Sequence, residues 1–154
     1  MDSLNDVLLV EEELLPLIRD TLARGQSVRY LPFRGRSMLP MLRQGKDSVE
    51  LSPLPEKLSK YDLPVYRYPS GKIVMHRIVA VRDDCYLCMG DNTYRYEKIN
   101  RQQMIGVVSA FKRGEKCISV QNAPYRLYCR CWVALFPIRR ALKGCKNALR
   151  RLIK

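Results

Sequence analysis

Gly35 to Ser48 reads GRSMLPMLRQGKDS. Glycines near both ends and Pro40 in the middle spell a turn, and Ser37 stands inside it. The stretch divides two segments of β texture, SVRYLPF (27–33) before it and DSVEL (47–51) after it. Working outward, LPVYRY (63–68) meets KIVMHRIVAV (72–81) across Pro69-Ser70-Gly71. CYLCMGD (85–91) follows, and MIGVVSAFKRGEKCISV (104–120) turns at Arg113-Gly114. Short β-rich runs joined by tight turns predict a mainly β, α+β fold built on a small, strongly bent sheet or partial barrel.

Helical spacing appears only at the ends. Leu14, Leu15, Ile18 and Leu22 share one face of a helix expected around Glu12 to Arg24, with acids at its start, Pro16 in its first turn and Gly25 as its cap. After Pro137, apolar residues from Ile138 to Ile153 recur at helical spacing, with Arg139, Arg140, Lys143, Lys146, Arg150, Arg151 and Lys154 on the other faces. Three segments follow: an N-terminal amphipathic helix (1–26), a β domain (27–122) and a basic amphipathic helical tail (123–154).

The 154 residues carry a net charge of +13, yet residues 1–115 account for only +3 of it, and Lys116 to Lys154 holds ten basic residues and no acid. The basic character belongs to the tail, for which two readings stay open. The helix either packs its apolar stripe on the domain with its charges in water, or it lies on an anionic membrane. In the second case Trp132 and Phe136 sit at headgroup level, and Arg139, Arg140, Lys143, Lys146, Arg150 and Arg151 face the lipid phosphates. Nucleic acid is the less favoured anionic partner. No apolar run is long enough to span a bilayer, and Glu11, Glu12 and Glu13 interrupt the one near the N-terminus. The expectation is a cytoplasmic protein, peripheral at the membrane surface, with its six cysteines reduced. Cys85 and Cys88 have C-x-x-C spacing, but no second Cys/His pair accompanies them, so no metal and no other cofactor is expected.

A serine hydroxyl reacts only when a base lies within hydrogen-bond reach. His76, the only histidine, falls on a strand where alternation groups it with Val74, Ile78 and Ala80. Partial desolvation favours its neutral, proton-accepting form, and such a base needs a carboxylate to fix its tautomer. Asp91, in the Met89-Gly90-Asp91-Asn92 stretch, is the candidate.

In this order, GRSMLPMLRQGKD, MHRIV and MGDN resemble the boxes of the signal peptidase and LexA-type serine peptidase superfamily, most closely the Ser-His signal peptidases of archaea and the endoplasmic reticulum. The resemblance covers roughly residues 28–113 and implies a β peptidase fold that cleaves an extended peptide or pre-protein. Ser37 would be the nucleophile, His76 the general base and Asp91 the orienting acid, while Gly35, Ser37 and Met38 would shape the oxyanion and substrate-binding wall. Met38 would pack beneath the nucleophile's turn. Gly35 replaces a serine that many members carry two positions before the nucleophile. Glu97 stands where the eukaryotic-type pattern has a second aspartate, which makes it the alternative orienting acid. No helix-turn-helix precedes the β region. The rival reading is a non-catalytic basic module of the same fold that binds an anionic membrane, nucleic acid or an acidic partner.

Overall fold

The computed structural model describes residues 14–152, apart from the side chains of Tyr30 and of residues 146–152. The elements run α1 (Leu15–Ala23), β1 (Val28–Pro32), β2 (Asp47–Ser52), β3 (Pro64–Arg67), β4 (Ile73–Met75), β5 (Arg77–Val81), β6 (Tyr86–Met89), β7 (Glu97–Ile99), β8 (Met104–Arg113), β9 (Lys116–Ser119), α2 (Ala123–Ala134) and α3 (Phe136–Leu152). The fold is α+β with antiparallel sheets. The larger sheet has the order β1-β2-β8-β3-β4, with β9 also on β8, and the smaller has the order β5-β6-β7. These form two sheets rather than one closed barrel.

α1 starts with Pro at its first turn and ends on Gly25 at φ +77°. There the Gly25 N–H bonds the Leu22 carbonyl and the Gln26 N–H bonds that of Thr21, the paired closure that a left-handed glycine permits. Leu15, Ile18 and Leu22 are buried, whereas Leu14 is exposed. The expected start at Glu12 lies outside the described residues.

The strands obey the two-residue period. Asp47, Val49 and Leu51 of β2 point inward, and Asp47 is tolerated there because Arg43 grips its carboxylate with both Nε and Nη2, at 3.1 and 2.8 Å. Gly106 on β8 admits no side chain, since a Cβ there would lie 2.8 Å from Leu51 and 2.9 Å from the Ser52 carbonyl oxygen.

KIVMHRIVAV, expected as one strand, is two. β4 pairs with β3 in the large sheet and β5 pairs with β6 in the small one, so the chain changes sheets at His76. Strands that switch sheets make the corners of packed sheets. Tyr66, Val74, Ile78, Cys88, Ile99 and Met104 fill the space between the sheets, while Val65, Ile73 and Met75 face the main core with α1. β7 has only the three residues EKI, too short to show a period in the sequence.

The expected boundary at residue 122 is not a packing boundary. Asn122 caps α2 by accepting the Tyr125 N–H, and Tyr125 and Cys129 enter the main core. Burying each large apolar side chain contributes about 1.5–3 kcal/mol. A chain ending at Asn122 is therefore expected to unfold at a midpoint about 10 °C or more below that of the full chain, as followed by circular dichroism. An unchanged midpoint would mean that α2 is an appendage.

Candidate active site

Ser37 lies on the turn that leaves β1. Met38, Met41 and Leu42 anchor that turn in the main core, and the Leu42 N–H closes it on the Met38 carbonyl at 2.9 Å. Gly35 adopts φ +111°, which only glycine takes without strain, and its N–H is held by the Gln44 side-chain oxygen at 2.8 Å. From the other side comes the turn after β6. The Asn92 backbone N–H donates to the Ser37 carbonyl, and the Asn92 carboxamide donates to the Arg36 carbonyl at 3.1 Å. Gly90 sits so close that a Cβ there would lie 2.9 Å from the Ser37 Cβ. The Met-Gly-Asp-Asn stretch thus holds the Ser37 turn through the backbone N–H and the carboxamide of Asn92.

His76 is almost wholly buried at the crossing between the sheets. Its Nε2 lies 2.8 Å from Ser37 Oγ, and its Nδ1 lies 3.0 Å from Glu97 Oε2 and 3.1 Å from the Tyr66 hydroxyl. The tautomer follows from these neighbours. Burial alone would raise the Glu97 carboxyl, but hydrogen bonds from His76, Tyr66 and Tyr68 outweigh it and hold the group below its ordinary 4.5. Glu97 is therefore ionised and can only accept. Burial pushes the Tyr66 phenol up, so it keeps its proton and donates a hydrogen bond through it to Glu97. Both neighbours of Nδ1 are then acceptors, so Nδ1 carries the proton. In the neutral ring Nε2 is then the acceptor, facing the hydroxyl of Ser37.

The anticipated Asp91–His76 contact is not made. His76 lies between β4 and β5, and Arg77, the first residue of β5, claims Asp91 through two bonds of 2.8 Å. Arg77 has no exposed surface. Burial works against its charge, yet Asp91 holds its guanidinium well above the ordinary range. Its remaining donors reach the Tyr125 hydroxyl, the Cys129 sulfur, the Met41 sulfur and the Tyr61 carbonyl. Glu97, the alternative acid, occupies the place beside His76.

Three residues expected to face a membrane are turned inward instead. Trp132 Nε1 and Arg139 Nη1 both donate to the Asp91 carbonyl, at 2.9 and 2.8 Å, with the Arg139 guanidinium 4.0 Å above the indole. Phe136 is buried with Val79 and Met89 and packs on Tyr94 and Tyr96. Lys143 Nζ stands 3.9 Å over the Tyr94 ring. Arg140 is exposed, and the side chains of Lys146, Arg150 and Arg151 lie outside the described residues.

Of the expected wall, Met38 is buried beneath the turn and offers its side chain to the core rather than to a ligand. Tyr66, Tyr68 and Arg77 were not singled out from the sequence. Tyr66 and Tyr68 do stand two apart on one strand face, and Arg77 is a lone charge in an apolar run. Cys85 and Cys88 are free thiols, and burial pushes Cys88 up to about 12, far from the depressed value of a reactive cysteine. Among the described residues, no cluster of His, Cys, Asp or Glu is arranged to hold a metal ion. Comparisons with protein-family models, curated proteins and solved structures find no match, so the chemistry of the site rests on its geometry.

Because Glu97 titrates below its ordinary 4.5 in the folded state, its contribution to stability is whole above that value and is lost as the pH falls through the folded value. Denaturant midpoints measured between neutral and acid pH should therefore fall less steeply below pH 4.5 in Glu97→Gln than in the parent chain. Identical acid limbs would show that Glu97 carries no such bias.

Proposed function

We propose that this chain is a serine peptidase of the signal peptidase and LexA-like type, acting on a peptide or pre-protein segment in extended form. The observation that carries the reading is the relay from Ser37 Oγ to His76 Nε2, with Nδ1 anchored on Glu97. A module that only binds has no use for an imidazole whose tautomer is fixed by two acceptors and whose bare nitrogen faces a serine.

In this mechanism Ser37 Oγ attacks the scissile carbonyl as Nε2 takes its proton. Glu97 stabilises the imidazolium that forms. Collapse of the tetrahedral intermediate expels the amine, which leaves with the proton from Nε2, and an acyl group remains on Ser37. Water, deprotonated by the same nitrogen, then releases the acid and restores the hydroxyl. Tyr66 and Tyr68 keep Glu97 ionised and fixed. Gly35 has no hydroxyl to add to the oxyanion donors, and an absent donor of that kind costs about 3 kcal/mol of transition-state stabilisation. Turnover is accordingly expected to be slow.

The test is digestion of a proteome-derived peptide library, with new termini identified by mass spectrometry. The wild-type chain should generate cleavages that Ser37→Ala and His76→Ala do not. Glu97→Gln should slow them by at least about 10²-fold, within the range assigned to positioned acid–base groups. Cleavage by Ser37→Ala equal to that by wild type, or no cleavage by wild type, would overturn the reading.

A further inference from the structure

α2 and α3 are joined through Leu135, whose N–H closes α2 on the Cys131 carbonyl at 2.9 Å and whose carbonyl accepts the first bond of α3, from the Arg139 N–H, at 3.0 Å. The jointed rod they form carries two sets of apolar side chains. The inner one, Tyr125, Cys129, Trp132 and Phe136, is spent on the protein. The outer one consists of Leu127, Leu135, Ile138 and Leu142, exposed by 62, 46, 58 and 65%. Within α3, Ile138 and Leu142 are four residues apart and share one face. Cys131 and Cys145 are exposed on the same two helices. Single exposed leucines are ordinary, but a cluster of large aliphatic side chains left exposed on two adjoining helices is not.

The charge beside this cluster has one sign. Arg126, Arg130 and Arg140 are exposed on the same two helices, and Lys143 stands over the Tyr94 ring. No acid occurs anywhere from Lys116 to Lys154. We propose that the outer face of α2–α3 is a docking surface for an anionic lipid bilayer, with Leu127, Leu135, Ile138 and Leu142 entering the acyl boundary and the flanking basic side chains meeting the headgroups. Exposed aliphatic side chains on helices that carry cations and no acid match an interfacial helix. Nucleic acid satisfies only the cations, because its backbone offers no partner for four aliphatic side chains. No described helix is long and apolar enough to cross a membrane, so the rod lies along the surface.

Docking of this kind reaches the site. Trp132 and Arg139 hold the Asp91 carbonyl from the inner face of the same rod, and Asn92 holds Ser37. A rod resting on lipid therefore fixes the orientation of Ser37 relative to the bilayer.

The experiment is co-sedimentation of the full chain with vesicles of phosphatidylcholine alone or mixed with phosphatidylglycerol. Binding to the mixed vesicles, at least about tenfold tighter than to phosphatidylcholine and reversed by raised salt, is expected. The double variant Ile138→Glu and Leu142→Glu alters only exposed positions. It should keep the parent's thermal midpoint and lose the binding by roughly tenfold or more. Emission of Trp132, the single tryptophan, should not shift on binding because its ring faces the protein. Equal binding by the double variant, binding to duplex DNA but not to vesicles at the same ionic strength, or a blue shift of Trp132 would overturn the proposal. Ser37→Ala should bind as wild type does, so this result and that of the library digestion stand or fall separately.

Discussion

His76 links β4 to β5 and Arg77 opens β5, so the fold must bury two consecutive polar side chains. That constraint acts at the point where the chain passes from the larger sheet to the smaller one. Each of the two side chains has a carboxylate of its own. Glu97 goes to the imidazole and Asp91 to the guanidinium. The polar interior is thereby divided into two compartments, one able to move a proton and one locked in a bidentate ion pair.

The locked compartment is costly by itself. A fully buried guanidinium and carboxylate lose several kcal/mol of hydration each, and the pair recovers that only when its remaining donors and lone pairs are used. Here they are used by α2. Tyr125 and Cys129 take Arg77 donors and the Tyr128 hydroxyl donates to Asp91 at 3.0 Å. The rings of Tyr125, Tyr128 and Trp132 continue outward as a stack. This explains why the helical segment after Asn122 belongs to the domain. The same contacts place the backbone of Asp91 and Asn92 where it grips the Ser37 turn, so Asp91 supports the site without touching the histidine.

Much of this was legible in the sequence, and the unread part has identifiable causes. The turn around Ser37, the cap at Gly25 and the alternating strands follow from local rules that the fold does not override. The pairing of Ser37 with His76 was implied instead by the resemblance that two short boxes carry, and the two side chains do meet at 2.8 Å. The choice between Asp91 and Glu97 depends on how the chain bends between β4 and β5. That is a property of the sheet crossing at His76, and the run KIVMHRIVAV gives no sign of a crossing. β7 is too brief to announce itself, although it carries Glu97. For the C-terminal rod, helical periodicity reveals apolar faces but not which one docks. The aromatic Trp132 and Phe136 resemble interfacial anchors, whereas the domain takes them and leaves the aliphatic side chains outside.

Because His76 is the only histidine in the chain, its tautomer can be read without overlap. Long-range proton–nitrogen NMR on protein isotope-labelled at histidine measures it directly, and no substrate is required. With Nδ1 between the Glu97 carboxylate and the Tyr66 oxygen, the neutral ring should carry its proton on Nδ1, leaving Nε2 with the signature of an unprotonated acceptor. In Ser37→Ala the Nδ1 proton should persist while the Nε2 resonance moves. A neutral ring protonated on Nε2 would contradict the account, since that nitrogen could then take no proton from Ser37.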